Sequence, residues 1–384
     1  MSDVFTKMMS ALFLEPEEYQ ERYMSPRKNL HSLPVPGAAA GYSETLPHMF
    51  ISGGSAAVRS LLVNRLVENQ RLLRRKVIVL QGVRENFRSD SVLNVADGSY
   101  DPLENARFSD ACGLICDVAE ALSVSPAPIY TSLSDELEYI MEQEGRLSMR
   151  SFLMRTAREI GADAFLQNRD SIAESHATPS CLQLDYLKNQ LQRGCRLYQT
   201  AGRSLRSTAA NGRAVAVKIP QNNIAWIGAV LSEIQELCAE SAVMVIICGI
   251  SIPASCQRAL EQLDCGCCLC YPDLPAMEWL WRYATCAADS AMFLRHRGPS
   301  AEAVSQYFHQ VEREKISRTT SKTKAYSDSG GFMGLFGSSS VANATGVEIV
   351  RQWEARFSAN EISRMGEDEG IFVYEEQTGR CRVR

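Results

Sequence analysis

No stretch of this 384-residue sequence is both apolar enough and long enough to cross a bilayer. A membrane-spanning helix needs about 20 consecutive apolar residues, and the longest apolar run, residues 242–247, is far shorter. The N-terminus carries Asp3 and lacks a basic segment followed by a long apolar one, so it does not resemble a secretory signal peptide. We therefore expect a cytoplasmic protein without a direct membrane span, which is associated with a membrane only through its partners.

An excess of positive charge is also missing. Lysine and arginine together number 40 against 45 aspartate and glutamate residues, which gives a formal net charge of −5. No global positive field therefore attracts the chain to nucleic acid. The one sizeable basic run comprises Arg313, Lys315, Arg318, Lys322 and Lys324. Such a run is typical of a solvated loop, and contact with DNA phosphates remains the alternative, confined to this patch.

Motifs of hydrolases and metal sites are scarce. The five histidines show no H-E-x-x-H spacing, and no G-x-S-x-G turn is present. Thirteen cysteines are scattered through a chain too long for a disulfide framework, which indicates a reducing compartment. Residues 265–270 contain overlapping C-x-x-C patterns, but alternation along a strand sends those thiols to opposite faces. This run therefore favours a buried strand over zinc, and we predict no metal site.

The composition is that of a globular protein, with 45% hydrophobic and 22% charged residues. Proline and glycine concentrate before residue 48, which indicates an N-terminal extension or tether over residues 1–47. We expect the first part of an α/β core over 48–110, a helical insertion over 111–205 and the remainder of the core over 206–384. Within the last part, a segment rich in Ser, Thr, Lys and Gly predicts a flexible loop over 315–340.

The pattern that follows the tether is that of a βαβ unit. Residues 48–51 form a short apolar strand, 52–55 a glycine turn, and 76–80 a second strand, with a helix of apolar periodicity between. Such a unit predicts a parallel sheet with a right-handed crossover. Further strands are predicted at 213–219, 243–247, 265–271 and 291–295, followed by a capping box at 358–361 and a hairpin at 371–383.

The glycine turn matches the frame of a phosphate-binding loop, G-x-x-x-x-G-K-[ST], only in part. The residues in that frame are Gly53, Gly54, Ser55, Ala56, Ala57, Val58, Arg59 and Ser60. Val58 places a β-branched side chain where a second glycine should let backbone approach phosphate. Arg59 substitutes a bulky planar guanidinium for the compact lysine ammonium. Only Ser60 is retained, and the plain alternative is that Gly53 and Gly54 form the turn that any βα unit needs.

The strand end that should carry the acids for magnesium and for the attacking water is degenerate as well. An ATP-hydrolysing motor needs a buried strand that ends in carboxylates, one for the magnesium shell and one to orient the attacking water. Residues 243–247 are a suitable strand, but Cys248 and Gly249 follow it, and the next acid is Glu261. The two degenerate positions therefore predict no catalytic residue there.

Five segments in this order resemble one protein family. They are the loop at 53–60, the Tyr-Asp-Pro-Leu-Glu-Asn segment at 100–105, and the stretches 213–220, 291–308 and 358–374. Together they resemble the type IV secretion and conjugation coupling proteins, which are hexameric DNA-pumping ATPases. The resemblance implies a RecA-like P-loop NTPase core, an α/β fold with a mostly parallel sheet flanked by helices, here with a helical insertion.

The resemblance also implies partners and a cofactor. It covers residues from about 45 to 384, and it implies secretion-system or coupling-protein subunits, secreted protein substrates, DNA, and a homo- or hetero-oligomer. The implied cofactor is ATP with magnesium, and the residues that would bind nucleotide, if binding is retained, are those of the frame from Gly53 to Ser60. The family carries N-terminal transmembrane helices and intact nucleotide motifs, whereas this sequence has neither.

These departures predict a catalytically impaired relative, a pseudo-ATPase that serves as a structural or substrate-recruiting component of a secretion or DNA-transfer apparatus. Two alternatives stay open. One is an active ATP-dependent translocation motor with divergent motifs, which makes the chain an enzyme. The other is a stand-alone protein-interaction adaptor that keeps a P-loop-like fold.

Overall fold

The structure, a computed structural model, describes residues 13–14, 48–82, 87–154, 179–193, 195, 202–220, 223–274, 288, 290–308, 310–326, 339–374 and 377–383. The chain divides into two compact units, the first formed by Met1–Arg295 with Gly366–Arg384 and the second by His296–Met365. Apart from residues 13–14, the predicted N-terminal extension lies outside the described residues.

The strands and helices follow in chain order. The strands are β1 (Phe13–Leu14), β2 (His48–Ser52), β3 (Lys76–Gly82), β4 (Ser91–Asn94), β5 (Ala214–Ile219), β6 (Val243–Cys248), β7 (Gly266–Tyr271), β8 (Ser290–Leu294), β9 (Gln310–Tyr326), β10 (Ser339–Ala355), β11 (Glu369–Tyr374) and β12 (Gln377–Val383). The helices are α1 (Ala56–Leu72), α2 (Phe108–Ala121), α3 (Tyr130–Glu144), α4 (Met149–Met154), α5 (Pro179–Gln192), α6 (Leu205–Thr208), α7 (Ile224–Glu240), α8 (Gln257–Glu261), α9 (Pro299–Tyr307) and α10 (Ala359–Arg364).

One ten-stranded sheet organises the first unit, in the order β1-β12-β11-β8-β2-β7-β6-β3-β5-β4. The strands from β8 to β4 run parallel to their neighbours, and β11, β12 and β1 extend the sheet with antiparallel pairs. All six residues of β6 are buried, which is typical of a parallel strand covered on both faces. The predicted mostly parallel α/β core is therefore confirmed, with β2 and β6 in one sheet and β7 between them.

Helix α1 covers one face of this sheet. Leu62, Leu66 and their neighbours Val63 and Val67 form a buried stripe at helical spacing. This stripe packs against sheet residues that include Val79, and the packed cluster extends to strands β6, β7 and β8. Burial of these side chains fixes the start of α1 at the carboxyl end of β2, where the glycine turn lies.

Helices α2 and α7 pack on each other elsewhere in the first unit. Trp226 in α7 is completely buried, and its indole N–H donates to the Leu191 carbonyl over 2.7 Å. Its ring lies 5.8 Å from that of Tyr100. A tryptophan contributes both a large apolar area and one hydrogen bond when buried, so Trp226 ties α7 to α5 and to the segment that follows β4.

A buried ion pair connects two helices in the region where the insertion is predicted. The Lys188 ammonium of α5 contacts the Glu136 carboxylate of α3, and both side chains are almost wholly buried. The same ammonium lies 4.7 Å above the ring of Phe152 in α4. The described helices α3 to α5 thus share one polar anchor, while the boundaries 111–205 stay a prediction.

The second unit contains α9, α10 and the antiparallel hairpin of β9 and β10. Ser305 in α9 donates to the Phe357 carbonyl over 2.7 Å, and the rings of Phe308 and Phe357 meet edge to face at 4.9 Å. The predicted capping box is confirmed, because Ser358 accepts from the Glu361 N–H and the Glu361 carboxylate accepts from the Ser358 N–H.

The hairpin corrects one sequence prediction. Residues 315–326 of the predicted flexible loop 315–340 lie in β9, and 339–340 lie in β10, in a ladder that runs from Gln310↔Ala355 to Tyr326↔Ser339. β-branched residues such as Ile316 and Thr320 recur among the Ser and Lys residues, and this favours extended backbone. Residues 327–338 lie outside the described residues. In the described part of the chain, no helix has both the length and the apolar character to cross a membrane.

The buried ion pair generates a stability prediction. We expect Lys188→Met to lower the free energy of unfolding by ~3–5 kcal/mol, because it leaves the Glu136 carboxylate buried without its ammonium. The double variant Glu136→Leu with Lys188→Met should regain most of that loss. Urea unfolding followed by circular dichroism measures both effects, and a double variant less stable than Lys188→Met alone would contradict this reasoning.

Candidate functional site

The glycine turn lies at the carboxyl edge of the parallel sheet. Gly53 directly follows β2, and β2 is flanked by β7 and β8. Ligands of parallel α/β sheets bind in the crevice outside the carboxyl ends of the strands. The predicted nucleotide-binding frame from Gly53 to Ser60 is thus placed where a phosphate site belongs.

Backbone geometry explains both glycines without reference to a ligand. Gly53 has φ 82° and Gly54 has φ 69°, a region that residues with a side chain seldom adopt. A Cβ on Gly54 would lie 2.8 Å from Cδ1 of Leu294, which is too close for unstrained packing. The turn between β2 and α1 therefore requires glycine for conformation at both positions and for space at the second.

The amides of these glycines bond to neighbouring strands. The Gly53 N–H donates to the Tyr271 carbonyl over 3.1 Å, and the Gly54 N–H donates to the Arg295 carbonyl over 2.9 Å. In a working phosphate loop, backbone N–H groups close on phosphate oxygens. Two amides of this frame instead join the turn to the ends of β7 and β8. Sequence reasoning missed Tyr271 and Arg295, because a backbone carbonyl leaves no residue-type signal.

The first turn of α1 is capped internally. Ser55 is the N-cap residue, and its hydroxyl accepts a hydrogen bond from the Val58 N–H at 3.4 Å. The Arg59 N–H donates to the Ser55 carbonyl at 3.1 Å. A helix N-terminus attracts anions chiefly through N–H groups that have no partner within the helix. One of them here, the Val58 N–H, is satisfied by the Ser55 hydroxyl, and the Arg59 N–H makes the first regular bond of the helix.

The Arg59 side chain is hydrogen-bonded to the backbone of the glycine turn. Its Nη1 donates to the Gly53 carbonyl at 3.0 Å and to the Gly54 carbonyl at 2.6 Å. The side chain that occupies the lysine position of the frame thus bonds the loop itself. Val58 is half-buried and packs against the apolar cluster formed by α1 and the sheet. Ala56 and Ala57 are exposed, and Ser60 is half-buried.

The end of β6 offers no carboxylate for a magnesium ion. Cys248 is buried, and Gly249, with φ 64°, donates its N–H to the Cys270 carbonyl over 3.1 Å. Across the described ranges, no group of three or more His, Cys, Asp or Glu side chains is arranged to hold a metal ion. With Arg59 bonded to the turn and no carboxylate at Cys248 or Gly249, the residues at this edge do not fit a magnesium-bound triphosphate.

A second group of functional interest surrounds the Tyr-Asp-Pro-Leu-Glu-Asn segment. Glu233 of α7 is buried, and its carboxylate accepts from the Tyr100 hydroxyl at 2.8 Å and from the Arg206 N–H at 2.9 Å. Burial raises the pKa of Glu233 to about 8, and burial likewise raises the pKa of Tyr100 well above its ordinary value. The Arg206 guanidinium bonds Asp110 and Glu236 at 3.2 and 2.6 Å.

Asp101, the next residue of the same segment, anchors two elements. Its carboxylate accepts from the N–H groups of Leu103 at 3.0 Å and Met149 at 2.9 Å. Burial raises the pKa of Asp101 to about 6, against the opposing effect of these hydrogen bonds. The segment therefore connects the end of β4 with α4 and α7, and its role in the structure is that of an anchor.

No protein-family model matches the sequence, and no curated protein matches it either. Solved structures do match. The bacterial conjugative coupling protein TrwBΔN70 in its unbound monoclinic form is similar with a TM-score of 0.58 and 14% identity, over 97% of this chain and 93% of that chain.

Two further structures extend the comparison. Plasmid coupling protein TrwB in complex with ADP and Mg²⁺ is similar with a TM-score of 0.54 and 13% identity, over 88% of this chain and 84% of that chain. VirB4 of Thermoanaerobacter pseudethanolicus is similar with a TM-score of 0.51 and 11% identity, over 88% of this chain and 89% of that chain. The resemblance stated from the sequence is confirmed at the level of the fold, which is the RecA-like fold of these proteins.

The glycine turn generates a prediction with a matched control. Gly54→Ala should lower the free energy of unfolding by ~1–3 kcal/mol, because it forces an alanine into a left-handed conformation against Leu294. Gly82→Ala, at the end of β3, meets no atom within 4 Å and should change stability by less than about 1 kcal/mol. Chemical denaturation of both variants measures the difference, and equal stabilities would contradict the geometry of the turn.

Glu233 makes the stability dependent on pH. Its pKa is raised from 4.5 to about 8 in the folded chain, so between these values the folded state holds a proton that the unfolded state has released. Stability therefore falls as pH rises through this window, by at most about 1.4 kcal/mol per pH unit from this group. Glu233→Gln should remove that contribution, and denaturation curves between pH 5 and pH 8 that fall equally steeply for both proteins would contradict it. Burial also raises the pKa values of Asp101 and Glu236, and both of these residues are retained in the Glu233→Gln variant.

Proposed function

We propose that this chain is a catalytically impaired relative of the type IV secretion coupling proteins and acts as a structural or substrate-recruiting component of a secretion or DNA-transfer apparatus. The observation that carries the proposal is the position of Arg59, whose guanidinium bonds the Gly53 and Gly54 carbonyls. The RecA-like fold shared with TrwB and VirB4 supports the connection with such an apparatus.

Loss of turnover follows from the physics of phosphoryl transfer. The protein contributes almost entirely positioning and electrostatic stabilisation to this reaction. Here the amides of Gly53 and Gly54 are bonded to neighbouring strands, and the magnesium side of the site has Cys248 and Gly249 where acids are required. A chain with these substitutions retains the scaffold of a motor without the groups that stabilise the transition state.

The partners proposed are secretion-system or coupling-protein subunits and secreted protein substrates. A similarity that spans 97% of this chain and 93% of TrwBΔN70 supports a subunit that fits beside coupling-protein-like chains in a hetero-oligomeric ring. In such a ring the active nucleotide sites belong to other chains. The location proposed is the cytoplasmic side of a membrane, reached through these partners. DNA contact is supported by the basic run in β9 alone.

The proposal predicts the nucleotide behaviour of the purified full-length chain. Magnesium-dependent ATP hydrolysis should not exceed that of the heat-denatured protein, and calorimetry should detect no binding of Mg–ATP. Restoring the frame with Val58→Gly and Arg59→Lys together should bring Mg–ATP binding into the range that the same calorimetry detects, because the guanidinium no longer bonds the turn. Hydrolysis should stay absent in this double variant, since no acid follows β6.

A second substitution on the same helix serves as the control for this experiment. Arg65→Lys, also on α1, makes the same chemical exchange away from the turn and should leave nucleotide binding unchanged. Hydrolysis by the unmodified chain that Arg59→Ala abolishes would overturn the proposal in favour of an active translocation motor. A monomer that co-purifies with no secretion-system subunit would instead indicate the stand-alone adaptor.

A further inference from the structure

A group of cationic side chains lies at the amino-terminal edge of the sheet, at the end of the strands opposite the glycine turn. Helix α1 ends at Leu72, and the chain passes through Arg74 and Arg75 before β3 begins at Lys76. Arg74 has φ 56°, and its N–H donates to the Arg71 carbonyl over 2.9 Å. Three consecutive cations are therefore held in one tight turn between α1 and β3.

A second turn, which precedes β5, bonds to the first. The Gly212 N–H donates to the Arg75 carbonyl over 3.0 Å, and the Val77 N–H donates to the Arg213 carbonyl over 3.1 Å. A Cβ built on Gly212 lies 3.7 Å from Cα of Arg74, so the two turns are in contact. Arg213 thus joins the cations of the first turn, although it is distant from them in sequence.

The positive charge of this edge is only partly neutralised. Arg71 pairs with Glu68 at 3.2 Å and with Asp90 at 2.9 Å. Arg75 donates to the neutral side-chain amide of Gln70 over 3.0 Å. Three further cations form no ion pair within the described ranges of the chain, and they are Arg74, Lys76 and Arg213. Of these, Arg74 and Arg213 are exposed and Lys76 is half-buried.

One large apolar side chain is exposed beside these cations. Leu72 is 81% exposed, the largest fraction for any large hydrophobic residue that the structure describes. A single exposed leucine is ordinary on a protein surface. A leucine next to several cations, however, has the composition of an interfacial membrane anchor, in which the apolar side chain enters the headgroup boundary and the cations contact anionic headgroups.

We propose that the edge formed by Leu72, Arg74, Arg75, Lys76 and Arg213 binds directly to a membrane that contains anionic phospholipids. Leu72 enters the headgroup layer, and the guanidinium and ammonium groups contact the lipid phosphates. One apolar side chain gives marginal binding by itself, and so does a small number of charges, but the two signals reinforce each other. The contact is peripheral and reversible, and it adds to any contact made through partners.

The remaining charge of the chain confines this contact to one part of the edge. The chain as a whole has a formal net charge of −5, which opposes binding to an anionic surface elsewhere. Further along the same edge, Glu240 ends α7 and Asp264 lies two residues before β7, and both are exposed. The positive region is therefore limited to the turns before β3 and β5.

The exposed leucine favours lipid over nucleic acid as the partner. Binding to a nucleic-acid backbone is carried by charge and gives no role to Leu72, whereas a membrane interface uses both the apolar and the cationic side chains. The proposal concerns the edge opposite the glycine turn and does not depend on the function proposed above.

The test uses the full-length chain and vesicles of two compositions. Vesicles of phosphatidylcholine mixed with phosphatidylglycerol should sediment together with the chain at low salt, whereas vesicles of phosphatidylcholine alone should not. Raising the salt concentration should weaken the binding, because it screens the charges. This comparison is made on the unmodified chain, so it does not depend on the folding of any variant.

Two variants locate the contact. Arg74→Asn combined with Arg213→Gln should weaken binding to the mixed vesicles about tenfold or more, since it removes two cations from the surface. Asparagine is suited to the left-handed conformation of position 74. Leu72→Ser should weaken binding as well. Both variants change exposed side chains and should unfold at the temperature of the unmodified chain.

Matched controls remove the same groups elsewhere. Lys322→Gln combined with Lys324→Gln takes two cations from β9, and Leu182→Ser takes another exposed leucine from α5. Binding to the mixed vesicles should be unchanged in both controls.

Three results would overturn the proposal. The first is a chain that does not bind the mixed vesicles, or that binds both compositions equally. The second is binding that persists in the Arg74 and Arg213 variant or is lost in the β9 control. The third is a chain that ignores the mixed vesicles but binds a DNA duplex through Arg74 and Arg213, which would assign this edge to nucleic acid.

Discussion

The hydrogen bonds that hold the turn between β2 and α1 determine which of its backbone groups remain available at the carboxyl edge of the sheet. Two glycine amides are bonded to the ends of β7 and β8, and both glycine carbonyls accept from Arg59. Phosphate loops bind their ligand through backbone N–H donors, and in this turn two of the candidate donors are committed to strand carbonyls. Arg59 adds to this effect, because one nitrogen of its guanidinium, Nη1, donates to both glycine carbonyls.

The rest of the first unit is held by a few buried polar groups set among apolar packing. Glu233, Asp101 and the pair of Glu136 with Lys188 each join elements distant in sequence, and the Tyr100–Glu233 bond spans 133 residues. Burial of a carboxyl group is costly unless it is protonated or well bonded. The raised pKa values of Glu233 and Asp101 reflect the first solution, and the Lys188 ammonium provides the second for Glu136. These groups connect particular helices, while strands and helices both contribute to the buried apolar core.

Much of the fold was predictable because its signals are local. Apolar runs located β2, β3, β5, β6, β7 and β8, and the spacing of leucines and valines located α1. The degenerate frame was equally visible, since Val58 and Arg59 differ in type from what the motif requires. The hairpin of β9 and β10 was missed because its Ser, Thr and Lys content resembles that of a loop. The carbonyl acceptors at Tyr271 and Arg295 and the buried acid at Glu233 depend on long-range contacts that no local pattern encodes.

The central claim is that the turn at Gly53 and Gly54 is closed by the protein itself. The most direct measurement follows the amide resonances of these two glycines in a glycine-labelled full-length chain while Mg–ATP is added. The account predicts that both resonances stay in place at every nucleotide concentration, because their N–H groups remain bonded to the Tyr271 and Arg295 carbonyls. Saturable shifts of both resonances would show that the amides turn to phosphate, and would contradict it.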